Sequence, residues 1–495
     1  MPRNTDRNTA RNPAASLLTL PPPWMRLSAV FALIVGFLLR IAFFHLFPQT
    51  DGDVAVYADL AANLVRQGQL AATDPVGHLH LTLIRLPGYP LFLAACFRLF
   101  GIDNLLAVCI VQSLLDAATC LLLADLARRL TADLAQRRGL IRSGWGAGLL
   151  ALWIAELCPF TAIYVCAPLT EGPTLFCIAV ACWAALRFQD RPGWRFALLF
   201  TGAVAWAALL RPDGALLALA LVPAMFSTRV RSALPPARLT RISLACLVLA
   251  LLPFALWTAR NERDFHVFQP LAPRYASDPG DSSDLGFENW CGTWMLDFVN
   301  TVAAYWPVPG DAVSLNSIPP RAWSSEADHQ RLLAIFNNYN QHGFHTTDAM
   351  NAALAQIARH NLRAHPWRTR LLIPALRTAD MWLRPRVENL PIDLDWWVYE
   401  HHHDETVFSW SFAALNLLLL VLGFAGLALR PRLAGCMLLY LLMRSLLLAT
   451  VQGPEARYTL ECLPMLVVTA SVWLGLRGSR QQAAQPVAAQ PLNAE

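Results

Sequence analysis

Carboxylates and arginines recur at the ends of apolar runs in this chain. The stretch TDGDVAVYADLAANLVRQGQL (50–70) opens with Asp51 and Asp53, and Arg85 follows in IRLPGYP. Glu171 sits in APLTEGP, Arg211 and Asp213 in LRPDG, and Arg260 in WTARNER; Glu455, Arg457 and Tyr458 share GPEARYTLE. A carboxylate can accept the proton of an acceptor hydroxyl. Arginines can grip a phosphate bidentately with a permanent charge. Such a set suits transfer chemistry on a phosphate-linked substrate, with a lipid tail in a bilayer and a headgroup at its surface.

Each residue also has a purely structural reading. Aspartate is a favoured helix N-cap and suits the positive end of the helix dipole, so Asp51 and Asp53 fit a cap as well as a base. At about 100° per residue, Val54, Tyr57, Ala58, Leu60, Ala61, Leu64 and Val65 share one face, with Asp53 at its edge. Tyr57 therefore reads as packing or as a substrate contact. Glu171 fits a helix start, with Pro173 in the first turn. Arg211 fits a side chain snorkelling to the membrane interface. In EHHHDE (400–405) three consecutive histidines cannot all face one ion, and the run reads as a solvated loop. The chain has 11 cysteines, ten of them in or beside apolar runs and no C-x-x-C pair, which reads as small buried hydrophobes. No nucleophile elbow, P-loop or dinucleotide fingerprint is present.

The elements that position these groups follow from composition. Of 495 residues, 56% are hydrophobic and only 15% charged, and the mean hydropathy is +0.39. Apolar runs of about 16 to 24 residues recur, the signature of an all-α polytopic membrane protein. The spans are expected at 25–47, 104–127, 144–166, 173–188, 196–210, 214–226, 239–260, 408–429, 432–450 and 456–476. The run PGYPLFLAACFRLFG (87–101) is read as a helix at the membrane surface. The net charge of +5 is carried by arginine alone and reports topology, so no nucleic-acid partner is expected. Short loops rich in arginine, such as ARRLTADLAQRRGLIRSGWG, place the N- and C-termini on the cytoplasmic side with ten crossings. On that topology the carboxylates and arginines named above share the outer face. The organisation expected is a disordered tail (1–24), a membrane module (25–260) with a first outer loop at 48–103, a periplasmic segment (261–407), closing transmembrane helices (408–477) and a disordered tail (478–495). The location expected is a bacterial inner membrane.

DGDVAVYADLAANLVRQGQL followed by RLPGYPLFLAACFRLFG resembles the first outer loop of GT-C glycosyltransferases. The relevant branch holds the dolichyl-phosphate-mannose protein mannosyltransferases (glycosyltransferase family 39), the bacterial aminoarabinose transferases and the Rgt-type core glycosyltransferases. LLRPDG, WTARNERDFHVF and PEARYTLECLPML resemble later landmarks, so the likeness covers roughly residues 25–475. The resemblance implies a GT-C helical bundle that passes a sugar from a polyprenyl-phosphate donor to a lipid, glycan or protein acceptor. It implies a catalytic base in the first loop, falling on Asp53 by its D-x-x-x-Y spacing to Tyr57, with Asp51 as the alternative. It further implies a second acid at Glu171 and donor-phosphate contacts from Arg457 and Tyr458. Arg85, Arg211, Arg260 and Glu455 complete the candidate substrate-binding set. Some relatives hold a divalent metal between the acids and others need none, which leaves the metal open. Many relatives carry adjacent acids, whereas Gly52 separates them here.

Two other functions compete. A lipid-linked sugar flippase would show inverted repeats and charges near the bilayer midplane, and the sequence has no repeat and groups its charges at one face. A glycan polymerase or ligase would depend on Arg and His within 261–407.

Overall fold

The structure is a computed structural model that describes residues 20–477, apart from 75, 141–142, 276 and 281–283. The two expected tails lie almost wholly outside the described residues. The described chain is mostly helical, as its composition demands. Its one described sheet is a two-stranded antiparallel pair, β1 (Ala71–Thr73) and β2 (Leu79–Leu81), in register Ala72 to His80.

The membrane-type helices are α1 (Pro23–Leu46), then, beyond the shorter helices α2 (Asp53–Gln67) and α3 (Gly88–Phe100), α4 (Leu105–Arg137). These are followed by α5 (Trp145–Glu156), α6 (Pro159–Cys166), α7 (Glu171–Asp190), α8 (Trp194–Leu210) and α9 (Ala215–Met225). After the short α10 (Thr228–Ala233) comes α11 (Pro236–Phe265). Every apolar run expected to be helical is helical. Six helices are long and apolar enough to cross a membrane, or seven when α5 and α6 count as one span bent by 53°. Pro159, which cannot donate a backbone hydrogen bond, opens α6 just beyond that bend. The expected crossings at 196–210, 214–226 and 432–450 form helices of 17, 11 and 15 residues. These are shorter than the roughly 20 residues that span a hydrocarbon core, so length and composition support fewer crossings than ten.

Residues 261–407 build a second core. It is formed by α12 (Leu285–Trp294), the short α13 (Phe298–Asn300), α14 (Glu326–Gln341) and α15 (Asp348–Ala364), around Trp290, Trp294, Phe336 and Leu354. Ser325 and Thr347 cap α14 and α15 through their hydroxyls. Helix α15 gives way near Pro366 to a wider turn (Arg368–Leu372) and then α16 (Ile373–Leu383). The chain closes with α17 (His403–Ala428), α18 (Ala434–Leu448) and α19 (Leu463–Arg477), the last preceded by a 3₁₀ turn over Ala456–Cys462.

Helices α17 and α19 touch backbone to backbone. A Cβ on Gly426 would lie 1.8 Å from the Thr469 carbonyl oxygen, and one on Gly423 would press on Leu466. Small residues on the facing side are what let membrane helices approach closely. Gly426→Ala should therefore separate the pair and destabilise the protein by about 1–3 kcal/mol, measured as a lowered unfolding midpoint in detergent.

Candidate active site

The first loop is set by Gly52, whose φ of +58° is the left-handed conformation that glycine adopts without strain. It turns the chain so that Asp53 is the first residue of α2. Neither acid caps that helix with its side chain. Asp53 instead reaches across the fold. Its Oδ1 accepts from Arg85 Nη2 at 2.8 Å and its Oδ2 from Arg457 Nη2 at 3.0 Å. Burial alone would raise the Asp53 pKa, but Arg457 and Arg85 outweigh it and hold the carboxyl below its ordinary value. Asp51 is exposed and meets only the Thr50 hydroxyl, at 3.4 Å. The two acids are thereby told apart by their surroundings.

Around Asp53 the charges alternate. Arg457 lies 2.6 Å from Glu455 and 3.9 Å from Glu171. Glu171, the first residue of α7, is 3% exposed and pairs with Arg211 at 3.4 Å. Arg211 continues to Asp213 at 3.4 Å and to Glu461 at 3.2 Å. The Tyr458 ring lies 5.6 Å from both Arg211 and Arg457, and its hydroxyl donates to Glu455 at 2.6 Å. Tyr57 carries the Arg85 guanidinium at 5.8 Å and meets Tyr89 edge-on at 4.9 Å; burial pushes its phenol up to about 12. Asp53, Tyr57, Arg85, Glu171, Arg211, Glu455, Arg457 and Tyr458 thus come together, from segments as far apart as residues 53 and 458.

Arg260 does not join them. It donates to the backbone carbonyls of Thr82 at 2.9 Å and Leu70 at 3.1 Å and pairs with Asp264 at 3.1 Å. It pins the loop between α2 and α3. It was grouped with the others because it lies near the end of an apolar run, a signal that gives position along the chain and not direction.

Several ionic partners escaped the sequence reading. Arg444 is fully buried, pairs with Asp213, reaches Glu461 at 3.0 Å and donates to the Tyr458 carbonyl at 2.8 Å. Its signal was a lone arginine within LLYLLMRSLLLAT. A second buried group corrects the expectation that charges gather only at one face. Arg40 of α1 donates to Asp116 of α4 (Nε at 2.8 Å) and to the Glu156 carbonyl at the α5 end (3.0 Å), and lies 3.1 Å from Glu156 Oε2. Asp116 lies 11 residues into α4, about 16 Å along it. A Cβ on Gly36 would overlap the Glu156 carboxylate, so glycine makes room for the contact. The Arg40 donors are taken up by Asp116 and by the Gly36 and Glu156 carbonyls, as expected of a clamp between helices.

For a divalent metal, the site's donor set is a poor fit. Both Asp53 oxygens and Glu171 Oε1 already face guanidiniums, and four arginines (85, 211, 444 and 457) crowd the acids. Among the described residues, Asp393, Asp395 and His402 could approach one ion. His402 lies 3.4 Å from Asp393 and 3.2 Å from Asp395 through its two different ring nitrogens, so one imidazole bridges the two carboxylates. His401 and His403 make neither contact, so the three histidines do not converge.

No protein-family model matches the sequence, and no curated protein matches it. Among solved structures the chain is similar to the archaeal oligosaccharyltransferase AglB from Archaeoglobus fulgidus in complex with an inhibitory peptide and a dolichol-phosphate. The identity is 11% and the TM-score 0.48, over 96% of this chain and 53% of that one. A second structure of the Archaeoglobus fulgidus oligosaccharyltransferase, tethered to an acceptor peptide, gives 12%, 0.48, 93% and 50%. ArnT from Cupriavidus metallidurans bound to undecaprenyl phosphate gives 16%, 0.36, 93% and 79%. The chain spans about half the length of the oligosaccharyltransferases it matches.

Two expectations follow from these charges. Arg40→Met would leave two carboxylates in an apolar interior and should cost about 3–5 kcal/mol. Glu156→Gln keeps the Arg40–Asp116 pair and should cost less; thermal unfolding in detergent compares the two. For Asp53, the folded pKa lies below the unfolded one. Its stabilisation is full above the unfolded value near 3.9 and is lost as pH falls through the lower folded value. The gap in unfolding midpoint between wild type and Asp53→Asn should stay constant from pH 7 to about 5 and close below about 4.

Proposed function

We propose that this protein is a membrane glycosyltransferase that moves a sugar from a polyprenyl-phosphate donor to a hydroxyl-bearing acceptor, with Asp53 as general base. The observation that carries this reading is the position of Asp53 between Arg85 and Arg457, one guanidinium on each carboxylate oxygen. Two arginines aimed at one small anion form a ready receptor for a phosphate: the donor diester offers two non-bridging oxygens with the single charge of a carboxylate, and the monoester that leaves carries more.

The chemistry then follows from competition. The donor phosphate draws Arg457 and Arg85 toward itself, and Arg211 lies one ion pair away through Glu171. Losing its cations raises the proton affinity of Asp53 at the moment a base is needed. The acceptor oxygen attacks the anomeric carbon, its proton passes to Asp53, and the bond from that carbon to the phosphate oxygen breaks. The arginines stabilise the polyprenyl phosphate that leaves with the electron pair. Tyr458 and Glu455 hold Arg457 in place between turnovers, and Tyr57 supports Arg85. The reading places the site at the outer, periplasmic face of a bacterial inner membrane, as arginine-rich loops elsewhere suggest. The donor set above argues against a metal between Asp53 and Glu171, and no step uses one.

The test is sugar transfer in membranes supplied with a labelled polyprenyl-phosphate sugar. Asp53→Asn should lose about 10²- to 10⁴-fold in rate while retaining its fold, and Asp51→Asn should stay near wild type. Arg457→Gln should raise the KM for donor. Full activity of Asp53→Asn with an inactive Asp51→Asn would move the base to Asp51. Full activity of both would remove the base assignment.

A further inference from the structure

A cleft of about 300 Å³ lies apart from the arginine cluster, between the end of α16 and the loop that leads to α17. Its volume is at the lower end of small-ligand clefts. Asp380, Leu383, Arg384 and Pro385 line one side, and Trp396 and Trp397 the other. Trp397 is 50% exposed, and its ring meets that of Trp396 nearly at right angles, with centroids 5.9 Å apart. The Trp396 indole nitrogen is buried without a hydrogen-bond partner, a donor left unused in a side chain that normally finds one.

We propose that this cleft is a saccharide subsite that seats a neutral glycan acceptor, with Trp397 as the stacking surface and Asp380 and Arg384 as hydroxyl partners. The inference rests on the glycosyl-transfer reading and narrows its acceptor to a glycan. Two observations favour a sugar. The walls combine flat aromatic rings with a few charged groups, which suits a ligand with apolar C–H faces and a rim of hydroxyls. The charge balance opposes a phosphate headgroup. Arg384 is flanked by Asp380 at 3.4 Å and Glu388 at 3.9 Å, so the cleft carries no spare positive charge.

The tryptophan loop is also held in advance. The Asp393 amide donates to Glu405 at 2.8 Å, His402 pairs with Asp393 and Asp395, and the Thr406 hydroxyl donates to the Trp396 carbonyl. A fixed aromatic surface reduces the ordering cost of binding. The cleft is joined to the transfer site by the strap that follows α16. Arg386 on that strap donates to the Ala456 carbonyl at 2.8 Å and to the Thr459 hydroxyl at 2.5 Å, on either side of Arg457 and Tyr458.

The experiment uses the full-length protein in nanodiscs on an array of neutral and acidic oligosaccharides, without any donor. Wild type should retain neutral glycans. Trp397→Ala should weaken retention at least tenfold, Trp397→Phe should restore most of it, and Asp380→Asn should weaken it with less effect on packing. Unfolding midpoints establish that the variants are folded. Retention of no glycan, wild-type retention by both Trp397→Ala and Asp380→Asn, or displacement of the glycan by undecaprenyl phosphate alone would each overturn the proposal. Because the assay contains no donor, its failure leaves the transfer reading standing. Failure of the Asp53→Asn transfer test leaves the glycan result standing in turn.

Discussion

Charge that is taken out of water must be paired, and this rule organises the protein. A guanidinium or carboxylate among apolar helices is tolerated only where an opposite charge and hydrogen bonds meet it. Asp53 is the point at which that requirement draws the chain together. It joins the first loop to the turn before the last helix, 404 residues later, through Arg457. It reaches Arg85, 32 residues on, at the same time. The helices around it are apolar and would slide on one another with little preference. The ionic lattice fixes their register.

The lattice also explains why a binding site can stand ready without collapsing. Five carboxylates (53, 171, 213, 455 and 461) face four arginines (85, 211, 444 and 457), so the arginines neither repel one another apart nor scatter toward solvent. Each arginine is shared by more than one partner or rests on a tyrosine ring. In the proposed function, a phosphate would replace one of those partners without leaving the others bare, because the alternation of charge would be preserved. Stability and recognition therefore draw on the same contacts.

Much of this was legible in the sequence. Apolar runs located the helices, since composition dictates burial or lipid contact. The residues of APLTEGP, LRPDG and GPEARYTLE were recognisable because charges stand out at the ends of such runs. Direction was not legible. Arg260 has the same sequence setting as Arg211, yet it turns to carbonyls 178 and 190 residues earlier in the chain. Arg444, Asp116 and Glu156 were passed over because a single charge inside an apolar run carries no mark of its partner, and each partner lies in another segment. Asp51 and Asp53 were separable only in three dimensions. Gly52 sends one to solvent and the other into the lattice, and two residues of spacing cannot report that.

The clamp made by Arg40 bears on how the chain is put together in time. Arg40 is synthesised with the first apolar helix, whereas Asp116 lies 76 residues later and the Glu156 carbonyl 116 residues later. Arg40 lies within α1, six residues before its end at Leu46, and an arginine inside a lone membrane helix is costly to insert, by up to about 2.5–3.5 kcal/mol at the helix centre. The first helix therefore enters the lipid at a disadvantage that only the fourth and fifth remove. Until those helices emerge from the ribosome, the first is best accommodated beside water or the insertion machinery. The clamp makes the bundle's assembly a sequence of dependent steps, with the N-terminal helix waiting for its partners.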